Sequence, residues 1–379
     1  VDSERTRKST QAVTPPVAAD LAATLDAPHT AEIKALAASL DNNPHKIYQW
    51  VHDNIHYFPS HGSVQGAQDT LDKKRGNAFD TNSLLIALLR SAGIPARYVY
   101  GTVDIPVAQV QNWVGNTATA DAAQQILGQG GVPNVVLTKG GKDFAFRLEH
   151  VWVEAHIQYH PGRGATHVPG RSTADSWVMM DGSYKQYTYS AGMDLASAVP
   201  LDADALLAAA SQGAQSNEAE GWVRNLNSRA LETHLKSYQT RLERHIDSQN
   251  GGRSTVGDVL GTKTATIDPL PYLAGTLPYT IRARSQPFSE IPARLRAQFQ
   301  YAIYPDARMA AWGESALLNW STPTASLAGK KLTLSWVAAN PATQQALEAL
   351  IPTPPPGQEL DPRQLPSGLP SSIQLKPEL

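Results

Sequence analysis

Residues 75–99 constrain this chain more than any other stretch. Arg75-Gly76-Asn77-Ala78-Phe79-Asp80 opens onto a strongly apolar run from Leu84 to Leu89, which closes at Arg90-Ser91-Ala92-Gly93-Ile94-Pro95. Gly93 stands where a helix C-cap glycine belongs, and Pro95 bars continuation. The β-prone Tyr98, Val99, Tyr100 and Val103 follow at once. The spacing therefore predicts a helix over 78–92 leading directly into a strand over 96–103.

The remainder reads less evenly. Residues 31–40 have helical spacing. Asn43-Pro44 is a cap-and-proline start for a second helix, whose stripe is Ile47, Trp50, Val51 and Ile55. Residues 104–145 lack clear periodicity and are expected to form a long insertion, with Gly128 to Gly131 as a mobile flap. That glycine stretch lacks the Gly-Lys-Ser/Thr ending of a nucleotide loop. Glu149 to Ile157 alternates as a strand should, and Trp177 to Met180 is a second strand, after a Gly/Pro/Arg-rich hairpin region at 161–172. Residues 201–250 look helical, with Leu226, Leu231, Leu235, Tyr238 and Leu242 on the apolar side. From about 263 the pattern turns to strands, at 279–283, 298–303 and 331–337. A helix at 341–350 follows, capped by Asn340. The expected division is an arm at 1–30, a domain at 31–200, a helical segment at 201–262, a β-rich module at 263–351 and a Pro-rich linker at 352–379.

Composition excludes several classes. Of 379 residues, 41% are hydrophobic and 17% charged, which is enough for a real core. A net charge of −2 gives no basic footprint for nucleic acid. No apolar stretch approaches the roughly 18 residues of a membrane span. The chain has no cysteine, hence no disulfide and no thiolate metal site. It starts Val1-Asp2-Ser3 with neither Met nor a signal peptide, and reads as an excised part of a longer multidomain chain.

Residues 75–99 combine with Glu149-His150-Val151-Trp152-Val153-Glu154 and Trp177-Val178-Met179-Met180-Asp181. Together they resemble the Cys-His-Asp core of the transglutaminase-like superfamily, over roughly residues 44–190. The resemblance implies an α+β, papain-like core: a helix bearing the nucleophile, packed on an antiparallel sheet, here followed by the helical segment and the β-rich module. It also implies roles. Position 78 is the nucleophile position, where Cys is expected and Ala78 stands. His150 is the base and Asp181 its orienter. The N–H of residue 78 serves an oxyanion hole, with Gln65 or Gln68 as a second donor. His61 is a substrate contact, Trp152 and Trp177 are core or cleft wall on the substrate side, and Arg97 forms a structural ion pair behind the site.

Other candidates are weaker. His52 and His56 share a helix face, and His156 and His160 a strand edge, but neither pair has a third ligand, so no metal and no cofactor is expected. Thr81 and Ser83 lie too far into the helix for its N-terminus to activate them. Two functions remain. One is a thiol acyltransferase or amide hydrolase module, acting on a protein or peptide, that lacks its nucleophile here. The other is a natural pseudoenzyme, a polypeptide-binding or scaffold domain of a large exported bacterial protein; exported bacterial proteins often avoid free thiols, which fits the absence of cysteine.

Overall fold

A computed structural model describes residues 14–160, 164–166, 175–266, 273, 275–313, 315–350, 368 and 373–378, with backbone alone at 160 and 164–166. Two compact units divide the chain: Val1–Lys185 with Pro269–Leu379, and Gln186–Asp268.

The first unit opens with helices α1 (Ala31–Ser39), α2 (Pro44–Asn54), α3 (Gly66–Lys73) and α4 (Ala78–Ser91). The N-cap of α2 is the one the sequence announces. The Asn43 side chain accepts from the His45 and Lys46 N–H groups, with Pro44 at the first helical position. Ile47, Val51 and Ile55 of the α2 stripe are buried, while Trp50 lies half-exposed under the Lys74 ammonium. Helix α4 is buried from Ala78 to Arg90. Burying each of its leucines contributes about 1.5–3 kcal/mol. Gly93 takes φ 77°, the left-handed conformation that ends a helix cheaply. Arg90, buried near that end, is satisfied by the carbonyls of Ala22, Ala96 and Ser289.

Strand β1 (Ala96–Pro106) follows, then α5 (Val107–Gly115), α6 (Ala120–Gln129), β2 (Asn134–Lys139), β3 (Lys142–His160) and β4 (Ser176–Met180). The long β3 is the axis of an antiparallel sheet. It pairs with β1 along one side, and with β2 and then β4 along the other. The last strand of this sheet comes from far along the chain: β5 (Thr280–Arg284) pairs with the outer side of β1. The stretch expected to begin a separate β-rich module thus contributes a strand to the central sheet. Two antiparallel pairs lie beyond it, Gln298–Ile303 with Leu318–Pro323 and Ser335–Ala338 with Leu375–Glu378. The helix Pro341–Leu350 is capped by Asn340, which accepts from the Thr343 N–H.

The expectation of an unstructured insertion at 104–145 is corrected. The stretch holds α5, α6 and β2. Its apolar anchors, Val110, Trp113 and Val114 in α5 and Ala123 and Leu127 in α6, are buried but diluted by Gln, Asn and Thr. Gly128 to Gly131 is no flap. It closes α6, and the Gly130 carbonyl accepts from the His61 N–H at 2.9 Å. A Cβ at Gly130 would lie 2.0 Å from the Pro59 carbonyl oxygen, so glycine is needed for that close approach.

In the second unit the expected helical segment holds the helices Ala203–Ser211, Ser228–Ser248 and the short Val256–Leu260. An antiparallel pair, Gln215–Asn217 with Trp222–Arg224, separates the first two. Strand Thr262–Ala265 pairs with Tyr187–Ser190. Residues 1–13 of the arm, most of the expected 161–172 hairpin and most of the Pro-rich linker lie outside the described residues.

Candidate active site

The N-terminus of α4 is built by Asn77. Its side-chain oxygen accepts from the Asp80 N–H at 2.8 Å, and its amide nitrogen donates to the Gly62 carbonyl and to Ser60 Oγ. The cap therefore engages the Asp80 N–H rather than that of Ala78. Loop 60–66 wraps this end of the helix. The N–H groups of Val64, Gln65 and Gly66 all donate to Asp80 Oδ1, at 3.0, 3.1 and 3.0 Å. Burial pushes the Asp80 carboxyl up, those three N–H groups pull it down, nearby Asp26 adds to the rise, and the net value is about 6.

His150 and Asp181 meet in the interior, both 2% exposed. Nε2 of His150 lies 2.7 Å from Asp181 Oδ2. The carboxylate can only accept, so Nε2 carries the hydrogen and Nδ1 is the basic nitrogen. Oδ1 of Asp181 accepts from Asn82 Nδ2, the Ser183 N–H and hydroxyl, and the Tyr184 N–H. Burial pushes the Asp181 carboxyl up, but the His150 imidazole and these hydrogen bonds outweigh it and hold the group well below the usual carboxylate range.

Asn82 ties the pair to the helix. It donates to the Val151 carbonyl at 2.9 Å as well as to Asp181, and accepts from the Gly182 N–H. Position 78 lies four residues earlier, on the same helical face one turn nearer the N-terminus. Aromatic rings pack around this end. Trp113 meets the His150 ring edge-on at 5.5 Å, and Phe79, Tyr100 and His61 cluster at 5.5–6.1 Å.

The structure brings only some predicted residues together. His61 stands beside Phe79, with Nε2 3.1 Å from the Tyr100 hydroxyl; burial lowers its pKa, and Glu149 opposes that. Gln65 does not fit the oxyanion-donor expectation. Its amide nitrogen donates to Thr70 Oγ1 and the Arg75 carbonyl, and its N–H is held by Asp80. Gln68 is corrected too: it bridges Thr30 and Asp72 across α3. Trp152 is fully buried, a core residue rather than a substrate contact. Trp177 stacks under the Arg97 guanidinium at 3.7 Å and against His156, and its Nε1 donates to the Thr14 carbonyl. Arg97 is ion-paired to Glu154 at 2.9 Å. Ser83 is fully buried and accepts from the Tyr98 hydroxyl, and Thr81 is buried. His52 is paired with Asp53 at 2.8 Å. The side chain of His160 lies outside the described set.

Sequence reasoning missed Asn82, Trp113 and Tyr279, whose hydroxyl donates to Asp181 Oδ2 at 2.9 Å. Asn82 left a signal, as a polar residue inside an apolar helix. Tyr279 left none.

Residues 29–182 match the profile of the transglutaminase-like superfamily. This stretch is a transglutaminase-like domain. A proposed cysteine protease from Cytophaga hutchinsonii, solved by crystallography, is 19% identical over 43% of this chain, with a TM-score of 0.24. That likeness is too slight to bear on the fold, and this chain covers 40% of that protein. No curated protein matches the chain. Among the described residues no helix is long and apolar enough to cross a membrane.

Proposed function

We propose that the domain is a thiol acyl-transfer scaffold whose base and orienter are assembled and whose nucleophile position is filled by a methyl group. The observation that supports this most is the buried His150–Asp181 contact at 2.7 Å, anchored through Asn82 to the helix bearing Ala78. Keeping an imidazole and a carboxylate buried in that geometry costs desolvation, which a packing role alone would avoid with apolar residues.

With a cysteine at 78, the thiol proton would pass to His150 Nδ1. The thiolate, stabilised by the helix terminus, would attack the carbonyl carbon of a Gln side chain or a peptide amide. His150 would return the proton to the leaving nitrogen as the C–N bond breaks. An amine or water would then take the acyl group from the thioester. As the chain stands, no thioester forms, and the cleft holds an amide-bearing polypeptide without turning it over.

A second reading is favoured by Ala78 itself and by the burial of Thr81 and Ser83, which leaves α4 without a substitute nucleophile. It is a natural pseudoenzyme, a polypeptide-binding or scaffold domain of an exported, modular bacterial protein.

The test is an Ala78→Cys variant, alkylated with iodoacetamide near neutral pH beside Ala78→Cys/His150→Ala, and assayed for amine incorporation into a Gln-bearing protein. The expected result is alkylation faster by roughly tenfold or more than in the double variant. Equal rates, together with no acyl transfer, would refute the acyl-transfer reading and leave the binding module.

A further inference from the structure

The Asp181 carboxylate is gripped on both oxygens, and one grip comes from outside the family core. Oδ2 accepts two hydrogens, from His150 Nε2 at 2.7 Å and from the Tyr279 hydroxyl at 2.9 Å. Tyr279 lies 98 residues beyond Asp181, past the matched stretch 29–182. It is 8% exposed, and its ring meets His150 edge-on, 5.5 Å between centroids and at 90°. Trp113 meets the imidazole edge-on as well, at 5.5 Å and 82°. The imidazole thus has two aromatic neighbours, and one of them, Tyr279, also reaches its carboxylate.

Strand β5 delivers this tyrosine. It begins at the next residue and pairs with β1 from Asp104 to Gly101. Arg282 bonds Asp104, Arg284 bonds Glu154, and Phe288 exchanges both backbone hydrogen bonds with Tyr98. A segment so fastened on either side of the sheet holds the hydroxyl in place.

We propose that Tyr279 is a positioning residue of the site: its hydroxyl fixes the Asp181 carboxylate against His150 and moderates the carboxylate's grip on the imidazole proton. This rests on the acyl-transfer reading of the His150–Asp181 pair. A phenylalanine would fill the same space and keep the edge-on contact, so the hydroxyl is what needs explaining. Burial, and then the Asp181 charge, keep that hydroxyl protonated. It therefore acts as a donor, and two donors on one carboxylate oxygen share its negative charge. Without the hydroxyl, the charge on Oδ2 falls to His150 alone and holds the imidazolium more tightly.

The experiment is nitrogen-15 NMR of the whole chain, with Ala78 unchanged, comparing wild type with Tyr279→Phe. The His150 titration midpoint is expected to rise by about one pH unit, a tenfold change in proton affinity, and the Hε2 resonance to move downfield. A thermal melt of the same sample checks that the variant stays folded. Site-specific 3-fluorotyrosine at 279, a stronger donor of nearly the same shape, is expected to move the midpoint the other way, and it replaces the phenylalanine variant should that one unfold. A midpoint and Hε2 resonance unchanged by either substitution would overturn the proposal. In the Ala78→Cys background, Tyr279→Phe is expected to lower the alkylation midpoint. The NMR arm needs no thiol, so the two failures separate: alkylation indifferent to His150 alongside a shifted His150 titration rejects acyl transfer and keeps the coupling of Tyr279 to the pair.

Discussion

Four polar residues in a row, Asp80 to Ser83, are buried in α4. Asn82 holds the His150–Asp181 pair and Ser83 meets Tyr98, while Asp80 binds loop 60–66 to the helix start. Asp80 is raised to about 6. The folded chain thus keeps a proton there over a window in which the unfolded chain has released it. Asp80 favours the folded state below about pH 4, and that contribution is lost as pH rises to about 6. The stability of the wild type relative to Asp80→Asn is expected to fall by about 2 kcal/mol between pH 4 and pH 7. Urea denaturation at several pH values measures it, and a flat difference would contradict the raised carboxyl. Asp181 works in the opposite direction: held below the usual carboxylate range, it contributes stability at neutral pH that is lost on acidification. The types and order of His150, on β3, and Asp181, one residue past β4, singled the two out, and the structure brings their side chains into contact. Gln65 was misread because its partner, the Arg75 carbonyl, is set by the packing of loop 60–66 against the helix start, while Trp152 takes the core rather than the cleft wall of the two places read for it.

The helix boundary at 44 was readable because a cap is local chemistry: Asn43, before Pro44, accepts from the first turn it precedes. The helices from 31 and 78 were read from apolar spacing, and the structure adds Thr30 and Asn77 as their caps. The insertion at 104–145 was not readable, because α5 and α6 are short and get their order from burying a few residues such as Trp113 and Leu127. Strand β5 was recognised as a strand, but pairing is a long-range property, and its partner lies far back in the chain. Gly101 sits in that pairing at a close backbone approach: an added Cβ would lie 2.1 Å from the Ala283 carbonyl oxygen. Backbone cannot yield as a side-chain tip would. Gly101→Ala is therefore expected to force β5 off β1 and cost about 1–3 kcal/mol or more. Hydrogen exchange checks it: the β5 amides should lose protection while those in the β3–β4 pairing keep theirs. Loss spread evenly over the sheet would argue against a local effect.

The first compact unit is assembled from two stretches of chain with the second unit between them. The later stretch supplies β5, the Phe288 exchange with Tyr98, and Arg296, which binds Asp26 at 2.7 Å. Asp26 is fully buried. Without Arg296 it becomes an uncompensated charge in the interior, at a cost of about 3–5 kcal/mol. The backbone edge of β1 would open at the same time, and an open edge recruits other chains. A chain ending at Asp268 still contains the whole stretch 29–182 that matches the superfamily. It is nevertheless expected to unfold or aggregate well below the melting temperature of the full chain, and to lose the downfield His150 resonance. A cooperative melt at the full-length temperature would mean that the matched stretch folds without its later partner. Loss of the melt in the truncated chain, with the Arg296→Ala variant shifted part of the way, would place the boundary of the folding unit beyond the boundary of the family resemblance.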